Sequence, residues 1–170
     1  MKGHELLVDA LGRVHESVHS AVSGLTLDQL HQRLDDDANP VGWLVWHLAR
    51  VEDDHVAEVA GLEQVYLAQG YDAKFGSPYP AKAVGYGQSS HEVGKLRVPS
   101  VEVLTDYYDA VHAQTVAYVS GLSDADFDRV VDTRWDPPVT LGVRLVSVVN
   151  DATQHVGQAA FVRGVLLREA

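Results

Sequence analysis

The chain contains no cysteine. That absence excludes disulfides, cysteine-type zinc sites and a catalytic cysteine. Thiol chemistry, if any, would need a thiol carried in on a cosubstrate. Basic residues are also scarce, 13 Lys and Arg against 24 Asp and Glu, for a formal net charge of −11. Nucleic acid and anionic membrane surfaces both demand clustered Lys and Arg, so neither is expected as a partner. The dispersed acidic residues read as a solvated surface. No stretch approaches the roughly 18 apolar residues that span a bilayer. The opening MKGHELLVDALG has neither the apolar core nor the cleavage site of a signal peptide. A cytoplasmic protein is therefore expected. No repeat of solenoid period is found.

What is present fits one domain over residues 1–170. At 170 residues, 46% hydrophobic and 22% charged, the chain can bury a core of ordinary size. Leu7, Leu11, Val14, Val18, Ala21 and Leu25 recur at steps of four and three, which predicts a first helix. Thr26 is a suitable N-cap for a short element over residues 27–34. Asn39 and Pro40 suit the N-cap and first position of a second helix, and Gly61 its end. Val41, Leu44, Leu48, Val51 and His55 share one face of that helix. Glu52, Asp53 and Asp54 read as its solvated face.

Residues 70–99 break the pattern, being rich in Gly, Pro, Ser and Tyr. A connection this long is uncommon and often functional. Tyr71, Phe75, Tyr79 and Tyr86 suggest that it packs over something, whether as a cover or as a plain crossover. Ser100 caps a third helix whose buried side is Val101, Leu104, Tyr108, Val111 and Val119. Residues 122–134 read as a turn with one more small helix, and Asp136-Pro137-Pro138 blocks regular structure. RVVDTRW is too short and isolated to build a sheet. Thr140 caps a fourth helix with Leu145, Val148, Ala152, His155 and Ala159 inward. Four helices and one long connection between the second and third predict an all-α four-helix bundle.

Asp151 and His155 lie four residues apart on the last helix, one above the other on the same face. Two donors so placed can grip one ion, as the two histidines of HExxH do. A third must come from a facing helix. His47, between Leu44 and Val51, lies beside the apolar stripe and is the best candidate. Two imidazoles and one carboxylate suit zinc, nickel, iron or manganese and leave positions open for substrate. The plainer reading of His47 is a packed core histidine, and of D-x-x-x-H an accident of spacing. His55 lies about 80° further round the helix than His47, at roughly 100° per residue. It reads as a substrate-side base, an alternative ligand or a boundary histidine. Gln158 could support a ligand or touch substrate. Arg50 and Arg163 could pair with carboxylates of substrate or of the protein. Trp43 and Trp46 read as core. His4, His15, His19, His31, His91 and His112 show no partner spacing and read as surface residues. No nucleophile elbow and no phosphate loop is found.

WLVWHLARVEDDHV, followed far downstream by NDATQHVGQAAFVRG, resembles the DinB-like family of four-helix metalloproteins. Within it the segments look most like the actinobacterial branch of mycothiol-dependent S-transferases. The resemblance implies one ligand in the W-H-L-A segment, matched by His47. Two more are implied in an H-x-x-x-H-x-x-G-Q-like motif of the last helix. His155, Gly157 and Gln158 match its second half, with the glycine shifted by one, and Asp151 replaces its first histidine. The implied activity is a detoxifying S-transfer. A divalent metal, zinc first, would hold mycothiol or a similar small thiol as a thiolate for attack on an electrophile under the 70–99 segment. His47, Asp151 and His155 would be both metal ligands and catalytic residues. The alternatives are a thiol-dependent isomerase or a non-haem iron enzyme on the same site, or a non-enzymatic metal-binding stress module. The oligomeric state is open, a homodimer included.

Overall fold

The computed structural model describes residues 1–169. Four long helices carry the fold: α1 (Gly3–Val22), α3 (Val41–Ala60), α7 (Val101–Ser120) and α8 (Leu141–Glu169). Short helices α2 (Leu27–His31), α4 (Val65–Ala68), α5 (Tyr71–Phe75) and α6 (Ser90–Val93) lie in the connections, with a 3-10 turn at Asp124–Asp128. Both α1 and α3 pack on α7 and α8, while α1 and α3 barely touch each other. The four are thus arranged in a square, with α1 and α3 on one diagonal. The α1–α7 and α3–α8 contacts are opposite edges of that square.

The helix boundaries follow the expected caps. Thr26 Oγ1 accepts from Gln29 N at 3.2 Å and Ser100 Oγ from Val103 N at 3.2 Å. Thr140 Oγ1 accepts from Val143 N at 3.4 Å. Gly61 ends α3 with φ 67°, a left-handed conformation that glycine adopts without a Cβ penalty. At the start of α3 the cap is Pro40 and the first helical residue is Val41, one position later than the sequence suggests.

The predicted faces of α1, α7 and α8 are the buried ones, with Leu7, Val101 and His155 only partly covered. In α3 the burial goes further, with 15 of its 20 residues buried, because the connections pack on the side away from the bundle axis. This overturns the reading of Glu52 and Asp53 as a solvated face: both are buried. Asp53 receives Val65 N at 2.8 Å and Tyr66 N at 2.9 Å, so it caps α4 from a neighbouring helix. Arg50 is buried against it at 3.2 Å and lies over the Tyr66 ring at 4.2 Å.

Residues 70–99 are an ordered connection built from α5, α6 and turns. Tyr71 and Phe75 are buried against Tyr107, at ring separations of 5.0 and 5.7 Å. Tyr86, by contrast, stands in solvent. The RVVDTRW segment does form a small strand, β1 (Val130–Asp132), which pairs antiparallel with β2 (Val139–Thr140). Two strands this short make a clasp at the entry to α8, not a sheet. No helix among the described residues is long and apolar enough to cross a membrane.

Candidate metal centre

α3 and α8 pack side by side, and this brings His47 opposite Asp151 and His155. One donor atom from each of the three lies within 4.8 Å of the others. The imidazole rings of His47 and His155 meet edge to face, 4.7 Å between centroids. His155 Nε2 is 3.5 Å from Asp151 Oδ1. The helical spacing of four residues does the local work on α8, and the register of α3 against α8 does the rest.

Each imidazole is held from behind. Trp43, one turn before His47, stacks on it at 4.6 Å with 14° between planes. His47 Nδ1 hydrogen-bonds the carbonyl oxygen of Val84. A carbonyl only accepts, so Nδ1 carries the proton and Nε2 keeps a lone pair. His155 Nδ1 lies 2.9 Å from Gln158 Oε1, which fixes the same tautomer. Anchoring one ring nitrogen to an oxygen acceptor and offering the other is the usual posture of metal-binding histidine. Asp151 Oδ2 is buried and has no hydrogen-bond partner. A buried, unpaired carboxylate oxygen is costly, and a cation at this point would satisfy it. The donor set therefore fits a divalent metal.

The electrostatics of the two rings differ. Burial lowers the pKa of His47, only partly offset by the Val84 carbonyl. The neighbouring Asp151 raises that of His155 against the opposing effect of burial.

Residues 80–88 cover the His47 side. Trp43 Nε1 donates to Gln88 Oε1 at 2.9 Å and fastens this loop to α3. Gly85 sits directly on the ring. Its φ is +93°, and a Cβ there would lie 2.7 Å from His47 Nδ1. Gln158, which holds the His155 ring, also lines a cleft of about 500 Å³ together with Leu34, Ala38, Leu44, Phe161 and Val162. This mostly apolar cleft lies between α8 and the α2–α3 connection. The 70–99 segment, beneath which the sequence suggests the electrophile binds, meets the centre at His47 through the Val84 carbonyl and Gly85.

The remaining candidates have other partners. Arg50 is committed to Asp53, to Tyr107 Oη at 3.2 Å and to Gln64 Oε1 at 2.8 Å, so it pairs with the protein and not with a substrate. Arg163 binds the Ser23 carbonyl at 2.9 Å. His55 adds no atom to the cluster; its Nδ1 accepts from Arg144 at 2.8 Å, and Arg144 also reaches Asp132 at 3.0 Å. Gln158 is the one auxiliary residue that touches the cluster. The Val84 carbonyl and Gly85 escape sequence reasoning. A main-chain oxygen has no residue signature, and the only trace of Gly85 is its place in the GYG turn.

The histidines read as surface residues also need correction. His31 Nε2 accepts from Val98 N at 2.9 Å and ties the connection to α2. His15, His19 and Asp109 form a second grouping of metal-capable donors. Among the six, His91 is exposed and the others are at least partly buried.

The chain was compared with known proteins. A crystal structure of a conserved protein from Enterococcus faecalis superposes with a TM-score of 0.90 at 31% identity, covering 96% of both chains. No curated protein matches. The sequence pattern of the DinB superfamily matches residues 10–159, which take in α3 and α7 whole and the greater part of α1 and α8. The chain belongs to the DinB superfamily.

Proposed function

We propose that this single domain is a metal-dependent thiol S-transferase that joins a low-molecular-weight thiol, mycothiol first, to a small apolar electrophile. The observation that carries this reading is the convergence of three donors beside an apolar cleft, with both imidazoles anchored through Nδ1. His47, Asp151 and His155 would hold the ion, zinc before nickel, iron or manganese. A divalent cation there supplies the positive charge that leaves a thiol, ordinarily titrating near about 8.5, deprotonated at neutral pH.

The protein's own groups do the rest. The Val84 carbonyl and Gln158 keep both Nε2 lone pairs aimed inward. Asp151 contributes a negative charge that a third histidine would not. The site is thus less positive, and the sulfur of a thiolate held there stays more nucleophilic. Gly85 and Trp43 exclude water from the His47 side. Leu34, Leu44, Phe161 and Val162 offer apolar surface to the electrophile. The sulfur supplies the electron pair of the new S–C bond, and the displaced group leaves with its own. Thiol and electrophile are the only partners the reading requires, in the cytoplasm.

The test is conjugation of a panel of small thiols, mycothiol included, to an electrophilic dye by zinc-loaded protein. The expected result is acceleration that a chelator abolishes. No acceleration with any thiol overturns the reading. Oxygen uptake by the ferrous protein would point instead to iron chemistry on the same three residues.

A further inference from the structure

We propose that His15, His19 and Asp109 form a second divalent-cation site, on the opposite edge of the bundle, for an ion that favours imidazole, such as zinc or nickel. His15 and His19 are four residues apart on α1, so one helix face presents both rings. Asp109 faces them from α7. Its Oδ1 lies 2.7 Å from His15 Nε2 and 2.7 Å from His19 Nε2. The three donors fall within 4.8 Å of one another.

A second observation comes from His112, one turn beyond Asp109. Its ring stacks on His15 at 4.4 Å, and its Nδ1 is buried with no hydrogen-bond partner. Tyr108 stacks on His15 at 5.9 Å. Three imidazoles and a carboxylate are therefore gathered on two facing helices, a bundle arrangement suited to binding metal. The side chains of His15, His19 and Asp109 remain 29%, 42% and 45% exposed, so an ion reaches them from solvent without opening the core.

The proton balance is simple. Without an ion, both Nε2 atoms donate to Asp109. When a cation enters, each ring gives up its Nε2 proton, keeps or takes one at Nδ1 and offers the Nε2 lone pair, and two N–H···O bonds are exchanged for coordination. A bound ion would clamp α1 to α7.

Zinc titration of the metal-free full chain, followed by calorimetry, tests this. The wild type should bind two equivalents, His19→Ala and His155→Ala one each, and the double variant none. Asp109→Asn, a conservative change, should behave as His19→Ala does, with helicity checked by circular dichroism. Nitrogen-15 spectra of the histidine rings of His155→Ala should show His15 and His19 Nε2 shifting as zinc is added. Unshifted rings, or a His155→Ala variant that binds no zinc, would overturn the second site. A His155→Ala variant that still takes one equivalent while wild type also takes only one would keep it and remove the first.

Discussion

Two groups with the same composition, two histidines and an aspartate, sit on opposite edges of one bundle, and they are wired in opposite ways. At the α3–α8 centre the protein holds each ring by Nδ1, so His47 Nε2 is unspent and His155 Nε2 meets Asp151 only at 3.5 Å, while Asp151 keeps a buried oxygen with no partner. At the α1–α7 cluster the Nε2 atoms themselves are spent on Asp109. The first is preorganised to receive a cation. The second satisfies itself with its own protons and must give up two hydrogen bonds before it accepts an ion. Donor identity alone does not separate the two; the partner of the far ring nitrogen does.

The comparison is broken most directly at its strongest point. His155→Ala removes a donor, and thiol conjugation should fall by more than about 100-fold, since even residues that only orient ligands are worth roughly 10–100-fold. Steady-state rates and metal content measured together check this. The same substitution should leave the α1–α7 rings unaltered in histidine NMR spectra.

Glu52, on α3, reaches the α1–α7 cluster through Tyr108. Its Oε2 accepts from Tyr108 Oη at 3.3 Å, and Tyr108 in turn stacks on His15. Burial raises its pKa from 4.5 to about 7, with hydrogen bonds from Thr115 and Tyr108 opposing. A carboxyl whose pKa rises on folding contributes fully to stability below its unfolded pKa and loses that contribution as pH rises through the folded one. Wild type should therefore lose stability relative to Glu52→Gln between about pH 4.5 and 7, by up to about 3 kcal/mol. Denaturant melts of both proteins at pH 4.5 and 8 measure it. Equal differences at the two pH values would show that Glu52 does not hold a proton in the core.

Gln158→Leu sharpens the contrast in wiring. It removes the Nδ1 partner of His155 while leaving all three donors, and zinc affinity should weaken about 10–100-fold. Competition with a chromophoric chelator reads this, and an unchanged affinity would mean that the ring needs no anchor. Asp109→Asn should have the smallest effect on the metal-free fold, under about 1 kcal/mol, because its partners are half exposed and screened by solvent. Thermal melts in chelator check it.

The fold was legible where local rules act alone. Thr26, Ser100, Thr140 and Gly61 mark element ends by short-range hydrogen bonds and backbone freedom, and they hold in the structure. The apolar stripes of α1, α7 and α8 predict burial because each has one covered side. In α3 the same logic fails at Glu52 and Asp53. Charged residues there read as solvent-facing, yet Asp53 is buried by the helix it caps, α4, twelve residues downstream. At the metal centre, four-residue spacing places Asp151 with His155. No spacing rule reaches from His47 to the Val84 carbonyl that orients it, nor from His15 and His19 to Asp109, 90 residues away and more.

By itself, the order of residues determined four helices, their ends and the pairing of donors within a helix. Those properties depend on groups a few residues apart, whose geometry the helix sets. Only the packing of α3 on α8 and of α1 on α7 decided which donors share a centre, which ring nitrogen stays free and where the cleft opens. Those are distances between elements far apart in the chain, and they exist only once the core is buried.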